Sequence, residues 1–361
     1  MNFNTIFLKS FRVLLLPFSL LYGLVVMIRN YLYKKNIFRS AEFNLPLICV
    51  GNLSVGGTGK SPMVEYLIEL LQPGYKIATL SRGYKRKTKG YILANETTTA
   101  IELGDEPMQF HMNYPDVAVA VGEERIVAIP QLLHDRPETQ AIILDDAFQH
   151  RAVKAGLNIL LTEYSNLFTR DFFLPTGDLR DERASYTRAE IIIVTKCPPE
   201  LSVEEKQKIR EEIQPLAHQQ LFFTCIEYGV PYHIGQHQLR YITNMDEVLL
   251  VCGIANPAPL KQYLQEKAHT YYQQDYNDHH IFSIDDLKDI RKKLDGIQSS
   301  QKYILTTEKD AVRLLKFRQE LETLPLYVLP VRHRFLFEEA ELFNAVIVKF
   351  IGSFVKAPVE D

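Results

Sequence analysis

The segment GNLSVGGTGKSP, Gly51–Pro62, joins an apolar run to a helix-like one. Gly56, Gly57 and Gly59 lack a Cβ, so the backbone N–H groups of Ser54, Val55, Gly56, Gly57, Thr58 and Gly59 can converge on phosphate oxygens. Lys60 follows where an ammonium reaches β- and γ-oxygens, and Ser61 offers a hydroxyl to Mg2+. A strand before the loop and a helix after it supply the context such a loop needs, and the helix N-terminus adds partial positive charge. Pro62 falls in the first helical turn, where its missing N–H costs nothing. One position departs from the usual G-x-x-x-x-G-K-[ST] pattern: Ser54 stands where the first glycine would be. Further along, AIILDDAFQH is an apolar run ending in two carboxylates. A carboxylate at such a strand end can hold Mg2+ directly or through water, which assigns Asp145 to the metal and leaves Asp146 either just behind the metal's ligands or aimed at the reacting phosphate.

These groups need a frame to bring them together. Short runs rich in Val, Ile and Leu (LPLICVGN, YKIATLS, DVAVAVG, AIILDD, LNILLTEY, EIIIVTK) alternate with helical stretches such as SPMVEYLIELL and RIVAIPQLLHD. That alternation predicts an α/β fold: a P-loop NTPase-like parallel sheet covered on both faces by helices. The expected organisation is an N-terminal helix over residues 1–40, a P-loop domain over 41–228 and a smaller α/β domain over 229–361. The smaller domain would contain the strands EVLLVCGIANP, KYILTTEKD and LYVLPVRHRF and end in an apolar helix. Within it, Thr307 and Asp310 have capping-box spacing and open a helix.

The chain has 361 residues, 46% hydrophobic and 24% charged, with a net charge of −3. The acidic balance argues against general nucleic-acid binding, which rewards a basic surface. Cys49, Cys197, Cys225 and Cys252 are widely spaced in apolar runs and read as small buried hydrophobes. The uncharged stretch VLLLPFSLLYGLVVMI lies between Arg12 and Arg29; Phe3, Phe7 and Phe11 precede it, and Arg29, Lys34, Lys35 and Arg39 follow. It falls short of a full span and is interrupted by Pro17 and Gly23, which suits a helix lying in a membrane interface with its cations on anionic headgroups.

In order and spacing, GNLSVGGTGKSP, LSRGYKRK, GDEPMQF, VGEER, DDAFQH and LPTGDLRDE resemble the tetraacyldisaccharide 4′-kinases, the lipid A 4′-kinases of Gram-negative bacteria. The loop of that family also lacks the first glycine. The resemblance implies transfer of the γ-phosphate of ATP, with Mg2+, to the 4′-hydroxyl of a lipid A disaccharide 1-phosphate. It places the enzyme peripherally at the cytoplasmic face of the inner membrane. By the same resemblance Asp105, expected on a loop, acts on the acceptor hydroxyl with the help of a histidine in NDHHIF, where Asp278 and His279 match and His280 is a neighbour. Arg125 and Arg180 match arginines placed around phosphate; Asp181, in a GDLRD that departs from the commoner G-P-L-R-E, would sit near Arg180 and blunt its charge. Arg82, Tyr84, Glu106, Gln149 and His150 match positions near the substrates, and Glu308, Lys309 and Asp310 are candidates near the nucleoside. The rival reading is a P-loop nucleotide switch or metal-delivery GTPase, although no N-K-x-D guanine motif is present.

Overall fold

The computed structural model describes residues 12–354, so the expectation for Phe3, Phe7 and Phe11 lies outside the described residues. Eight strands from the first part of the chain form the larger sheet: β1 (Leu47–Asn52), β2 (Ile77–Ser81), β3 (Ile92–Leu93), β4 (Ala118–Val121), β5 (Ala141–Asp145), β6 (Leu157–Glu163), β7 (Ile191–Thr195) and β8 (Gln220–Tyr228). The smaller sheet contains β9 (Tyr232–His233), β10 (Glu247–Cys252), β11 (Thr270–Asp275), β12 (Lys302–Thr307) and β13 (Leu326–Leu329). A last strand, β14 (Val331–Phe335), returns to the larger sheet.

The larger sheet runs β14-β8-β7-β6-β1-β5-β2-β4-β3 and is parallel except at its two edges. Its inner strands β1, β2, β5 and β7 are buried on both faces, as their continuous apolar runs require, while edge strands β3 and β14 are only partly covered. In β1, Leu47 and Cys49 pack into one core layer, while Ile48 and Val50 face the other, beneath the Lys60–Leu71 helix. Consecutive strands β5 and β6 pair on opposite sides of β1. The chain therefore leaves β1 at a topological switch point, where an open α/β sheet has its crevice. All four cysteines are buried and free.

The smaller sheet runs β11-β10-β12-β13-β9, with β9 antiparallel and the rest parallel. LYVLPVRHRF is not one strand. Pro330 has no N–H to give a ladder, and it separates β13 in one sheet from β14 in the other. Helix Ala340–Phe354 follows β14 back, burying Phe343, Ile347 and Ile351 in the larger core. The expected 229–361 unit thus holds its own sheet only to Leu329, and 331–354 completes the first. β11 has no counterpart in the sequence reading, because TYYQQD is polar and half exposed at a sheet edge.

Near the N-terminus, Leu16–Lys34 forms a 19-residue helix. Its buried stripe is Ser19, Gly23, Val26 and Asn30, and Leu20, Leu21, Leu24, Val25 and Ile28 are exposed. Polarity is inverted relative to a helix of a soluble protein. The buried stripe is held by specific contacts: Ser19 Oγ donates to Phe173 O at 2.7 Å, and Asn30 Nδ2 donates to Asp181 Oδ1 at 2.7 Å. A Cβ at Gly23 would stand 2.6 Å from the Phe173 ring, so only glycine allows this approach.

Candidate active site

The loop after β1 is held open by contacts that explain its odd first position. Ser54 bridges to Leu179, and Val55 N–H donates to Asp178 O at 2.8 Å. That pairing keeps Ser54 extended beside 178–179, and the left-handed residues come later, at Gly56 (φ 110°) and Gly59 (φ 87°). A glycine at position 54 is therefore not needed. A Cβ at Gly56 or Gly57 would meet nothing within 4 Å, so the loop borders an open hollow. Thr58 is buried: its Oγ1 accepts from Asn52 and its carbonyl accepts from Thr195 Oγ1, both at 2.9 Å. Gly59 caps the helix that starts at Lys60, with Ser61 behind it.

The β1–β5 register pairs Val50 with Asp145, placing the two carboxylates beside the entry to the loop. Asp145 is 7% exposed and accepts from Ser81 Oγ at 3.2 Å. Burial, then its neighbour Asp146, pushes its carboxyl up to about 6. Asp146, in a left-handed turn (φ 51°), is opposite in character. Lys60, 3.7 Å away, and the forked guanidinium of Arg180 hold it down to about 2 against the cost of burial. Lys60 is itself largely buried, which lowers its pKa although the acids oppose this. Asp181 does not blunt Arg180. Its carboxylate is engaged by Asn30, Ser185 and Arg188, and Arg180 faces Asp146 and Asn52 instead.

The hydroxyl of Ser61 and the carboxylate of Asp145 are hard oxygen donors on adjacent elements, a donor set that fits Mg2+. Around them, Gln149 Nε2 donates to Asn52 O at 2.7 Å. His150 is kept neutral, its pKa depressed to about 4 by burial and then by Arg125, and its Nε2 accepts from Arg125 N–H at 3.3 Å. Arg125 does not stand free in the cleft. It is 2% exposed, and its guanidinium donates to the carbonyls of Gly122 at 2.9 Å and Asp145 at 3.3 Å. Arg82 and Tyr84 are exposed.

The second acid group comes from a helix rather than a loop. Asp105 and Glu106 form the first turn of helix Asp105–Asn113, after Gly104 (φ 93°), where partial positive charge favours carboxylates. Across the cleft, His279 Nδ1 lies 3.0 Å from Asp105 Oδ2. His279 is left-handed (φ 62°), and its ring meets Tyr84 edge-on with centroids 6.1 Å apart. His280 turns away, contacting Asp286 Oδ2 at 3.0 Å and stacking on Tyr276. The doublet is thereby resolved in favour of His279. Asp310 is wholly buried under Gly253 N–H, Thr307 and Arg313, while Lys309 pairs with Glu106 at 2.8 Å. Glu308 meets Arg332 at 3.2 Å. All three are engaged by protein partners.

Two further residues were missed because nothing in their local sequence marks them. His333 of β14 donates from Nε2 to Gly59 O at 2.8 Å and accepts on Nδ1 from Thr224 Oγ1 at 3.0 Å. Burial depresses its pKa to about 4, so it serves the loop as a neutral imidazole. Arg313, the other, reaches Asp105 from the smaller sheet's side.

A buried carboxylate cluster links the two units as well. Glu65, fully buried in the Lys60–Leu71 helix, accepts from Gln109, Asn113 and Arg332, and Arg332 also contacts Glu308. Burial first, and Glu308 second, push Glu65 up to about 8 from its ordinary 4.5. A carboxyl raised in the folded state binds more protons folded than unfolded, so its contribution to stability is lost as pH climbs from about 4.5 to about 8. The depressed His150 and His333 act with the opposite sign, but only below their ordinary value of 6.5. Between pH 7 and 8.5 the thermal midpoint is therefore expected to fall more steeply in wild type than in Glu65→Gln, where the raised thiols of Cys49 and Cys197 still contribute. Parallel slopes in the two proteins would show that Glu65 is already ionised across that range.

A glycine loop at a β-sheet switch point, with paired carboxylates on the next strand and an acid–imidazole contact across the cleft, defines a P-loop phosphotransferase with an α/β core. The comparisons with known proteins are specific. The family model LpxK, tetraacyldisaccharide-1-P 4′-kinase, matches residues 11–351, and the chain belongs to that family. A tetraacyldisaccharide 4′-kinase of Flavobacterium johnsoniae is 46% identical over 341 residues, covering 94% of this chain and 97% of that one. One of Bacteroides thetaiotaomicron is 41% identical over 353 residues, covering 93% and 92%. Among solved structures, LpxK from Aquifex aeolicus in complex with ATP superposes with a TM-score of 0.74 at 28% identity, covering 94% of this chain and 99% of that one.

Proposed function

We infer that the chain is an ATP-dependent kinase transferring the γ-phosphate to the 4′-hydroxyl of a lipid A disaccharide 1-phosphate. Family membership supports this over a nucleotide switch. The observation that carries the mechanism is the meeting of Asp105 and His279, 3.0 Å apart, on the same cleft as the phosphate loop. A switch needs no group to take an acceptor proton; a kinase does.

The loop amides from Ser54 to Gly59 and the ammonium of Lys60 would bind the phosphates. Ser61 and Asp145 would hold Mg2+, which when bound neutralises charge on the phosphate oxygens. Asp146 keeps Lys60 and Arg180 converging on the loop, so two cations are already oriented where negative charge develops. Asp105 would take the acceptor's hydroxyl proton, with His279 beside it. Arg125, buried on carbonyls, would act by fixing the end of β5. Exposed Arg82 and Tyr84, with Glu106, Gln149 and His150, would line the approach of the sugar. We assign the hinge to the two crossings of the chain, where Gly229 N–H donates to Pro330 O at 3.0 Å. The direct test is transfer of labelled γ-phosphate from ATP to the purified acceptor in mixed micelles. Label on the lipid with ATP is expected, and binding of GTP without any transfer would favour the switch.

The acceptor is a membrane lipid, and the natural contact is the Val13–Lys34 segment: at 22 residues it runs past the uncharged stretch and, contrary to the expectation of a short segment, is apolar enough by length and composition to cross a bilayer. We place it in the interface at the cytoplasmic face rather than across the membrane. Its buried stripe is tied to 173–181 along its length, and Arg29 donates to Gln149 O at 2.6 Å, leaving one exposed apolar side for acyl chains. Deleting residues 1–29 is expected to abolish co-sedimentation with anionic vesicles while ATP affinity changes by less than about tenfold, although the contacts of Ser19, Tyr22 and Arg29 to 149–180 are lost. Undiminished sedimentation would move the membrane contact elsewhere.

A further inference from the structure

Asp105 receives more than a histidine. Arg313 Nε lies 2.9 Å and its Nη2 2.8 Å from Asp105 Oδ2, the oxygen that also faces His279 Nδ1. The same Nη2 stands 3.1 Å from His279 Nδ1. One guanidinium therefore bridges the acid and the imidazole. It is held rigidly: its side chain is 6% exposed, Nη1 donates to Gly253 O at 3.2 Å and to Asp310 Oδ1 at 3.0 Å, and Asp310 is itself wholly buried. Four residues before it, on the same side of helix Glu308–Leu314, Lys309 takes Glu106 at 2.8 Å. Two cations one turn apart thus grip the two successive acids of GDEP from the opposite unit.

We propose that Arg313 is a positioning residue for phosphoryl transfer: it anchors Asp105 by Oδ2 and presents Oδ1 to the acceptor hydroxyl, beside His279. Oδ1 accepts no hydrogen bond from any of the described residues, whereas Oδ2 is contacted from both sides. A planar fork with two donors on one oxygen stops the carboxylate from rotating, and a point charge would not. A guanidinium can only donate, so Oδ2 accepts from Arg313 on one side and from His279 Nδ1–H on the other. His279 Nε2 faces Asp278 Oδ2 at 3.7 Å.

This proposal rests on the reading of Asp105 as the group that takes the acceptor proton, and the test separates the two. Turnover and KM for ATP and lipid are measured for wild type, Arg313→Met, Arg313→Lys, Asp105→Asn and the Arg313→Met/Asp105→Asn double variant, with thermal unfolding of each as a control for folding. Arg313→Met is expected to lose about 10² in kcat, the scale of a misplaced reacting group, with KM for ATP within about threefold. Arg313→Lys, which keeps the charge but loses the fork, is expected to recover part of that loss. In the Asp105→Asn background, Arg313→Met is expected to cost nothing further, because residues acting as one unit are not additive. Losses that multiply in the double variant, with Asp105→Asn alone crippled, would overturn the positioning role and leave the reading of Asp105 standing. Wild-type turnover in Asp105→Asn would remove the reading itself, and the proposal with it.

Discussion

Replacing Lys60 by alanine is expected to lower turnover by about 10³, the scale on which removing an oriented electrostatic group from a closed site is felt. Lys60 opens its helix at the end of the phosphate loop, is mostly buried and lies 3.7 Å from Asp146. The loss would have two parts. The cation proposed to meet the β- and γ-oxygens disappears, and Asp146 loses one of the two charges that balance it, leaving Arg180 alone against that carboxylate. A kcat that falls far more than ATP affinity would show that the ammonium acts chiefly as charge develops in transfer. An unchanged rate of transfer to the lipid would mean that the loop amides and Arg180 suffice, and that the lysine is structural.

Asp105→Asn is expected to cost between about 10² and 10⁴ in turnover, the range for a lost general base, with ATP affinity preserved. The amide keeps the carboxylate's shape and can still accept from Arg313, so the cleft should close as before. What it cannot do is take a proton at the acceptor. Because Asp105 is on the helix that faces the smaller sheet's His279 and Arg313, and not on the phosphate loop, nucleotide binding should be indifferent to the change. Single-turnover transfer separates the outcomes. A lost chemical step with normal nucleotide binding supports the role, and equal rates would exclude Asp105 from the proton transfer.

Much of this was legible in the chain. The phosphate loop and the DD pair are contiguous motifs whose chemistry depends on neighbours one to ten residues away, and strand–loop–helix order places them without further help. Continuous Val/Ile/Leu runs announce strands buried on both faces, and the larger sheet has them where those runs lie. The reading failed where a residue's meaning depends on a distant partner. GDEP looks like a turn because Gly104 precedes it, but that glycine caps a helix. LYVLPVRHRF looks like one strand, yet Pro330 hands the chain from one sheet to the other.

The sequence alone set out the candidate chemistry: a glycine loop ending in a lysine, paired carboxylates, an apolar segment near one end and, through the family resemblance, an acid and a histidine in separate segments. Only the tertiary structure decided which of these meet. Asp105 and His279 are 174 positions apart, Arg313 and Asp105 208, and His333 and Gly59 274. Helical and strand periodicities reach a few residues along the chain, whereas these contacts are made by packing two sheets across a cleft. The side chains at their ends have no local pattern to betray them.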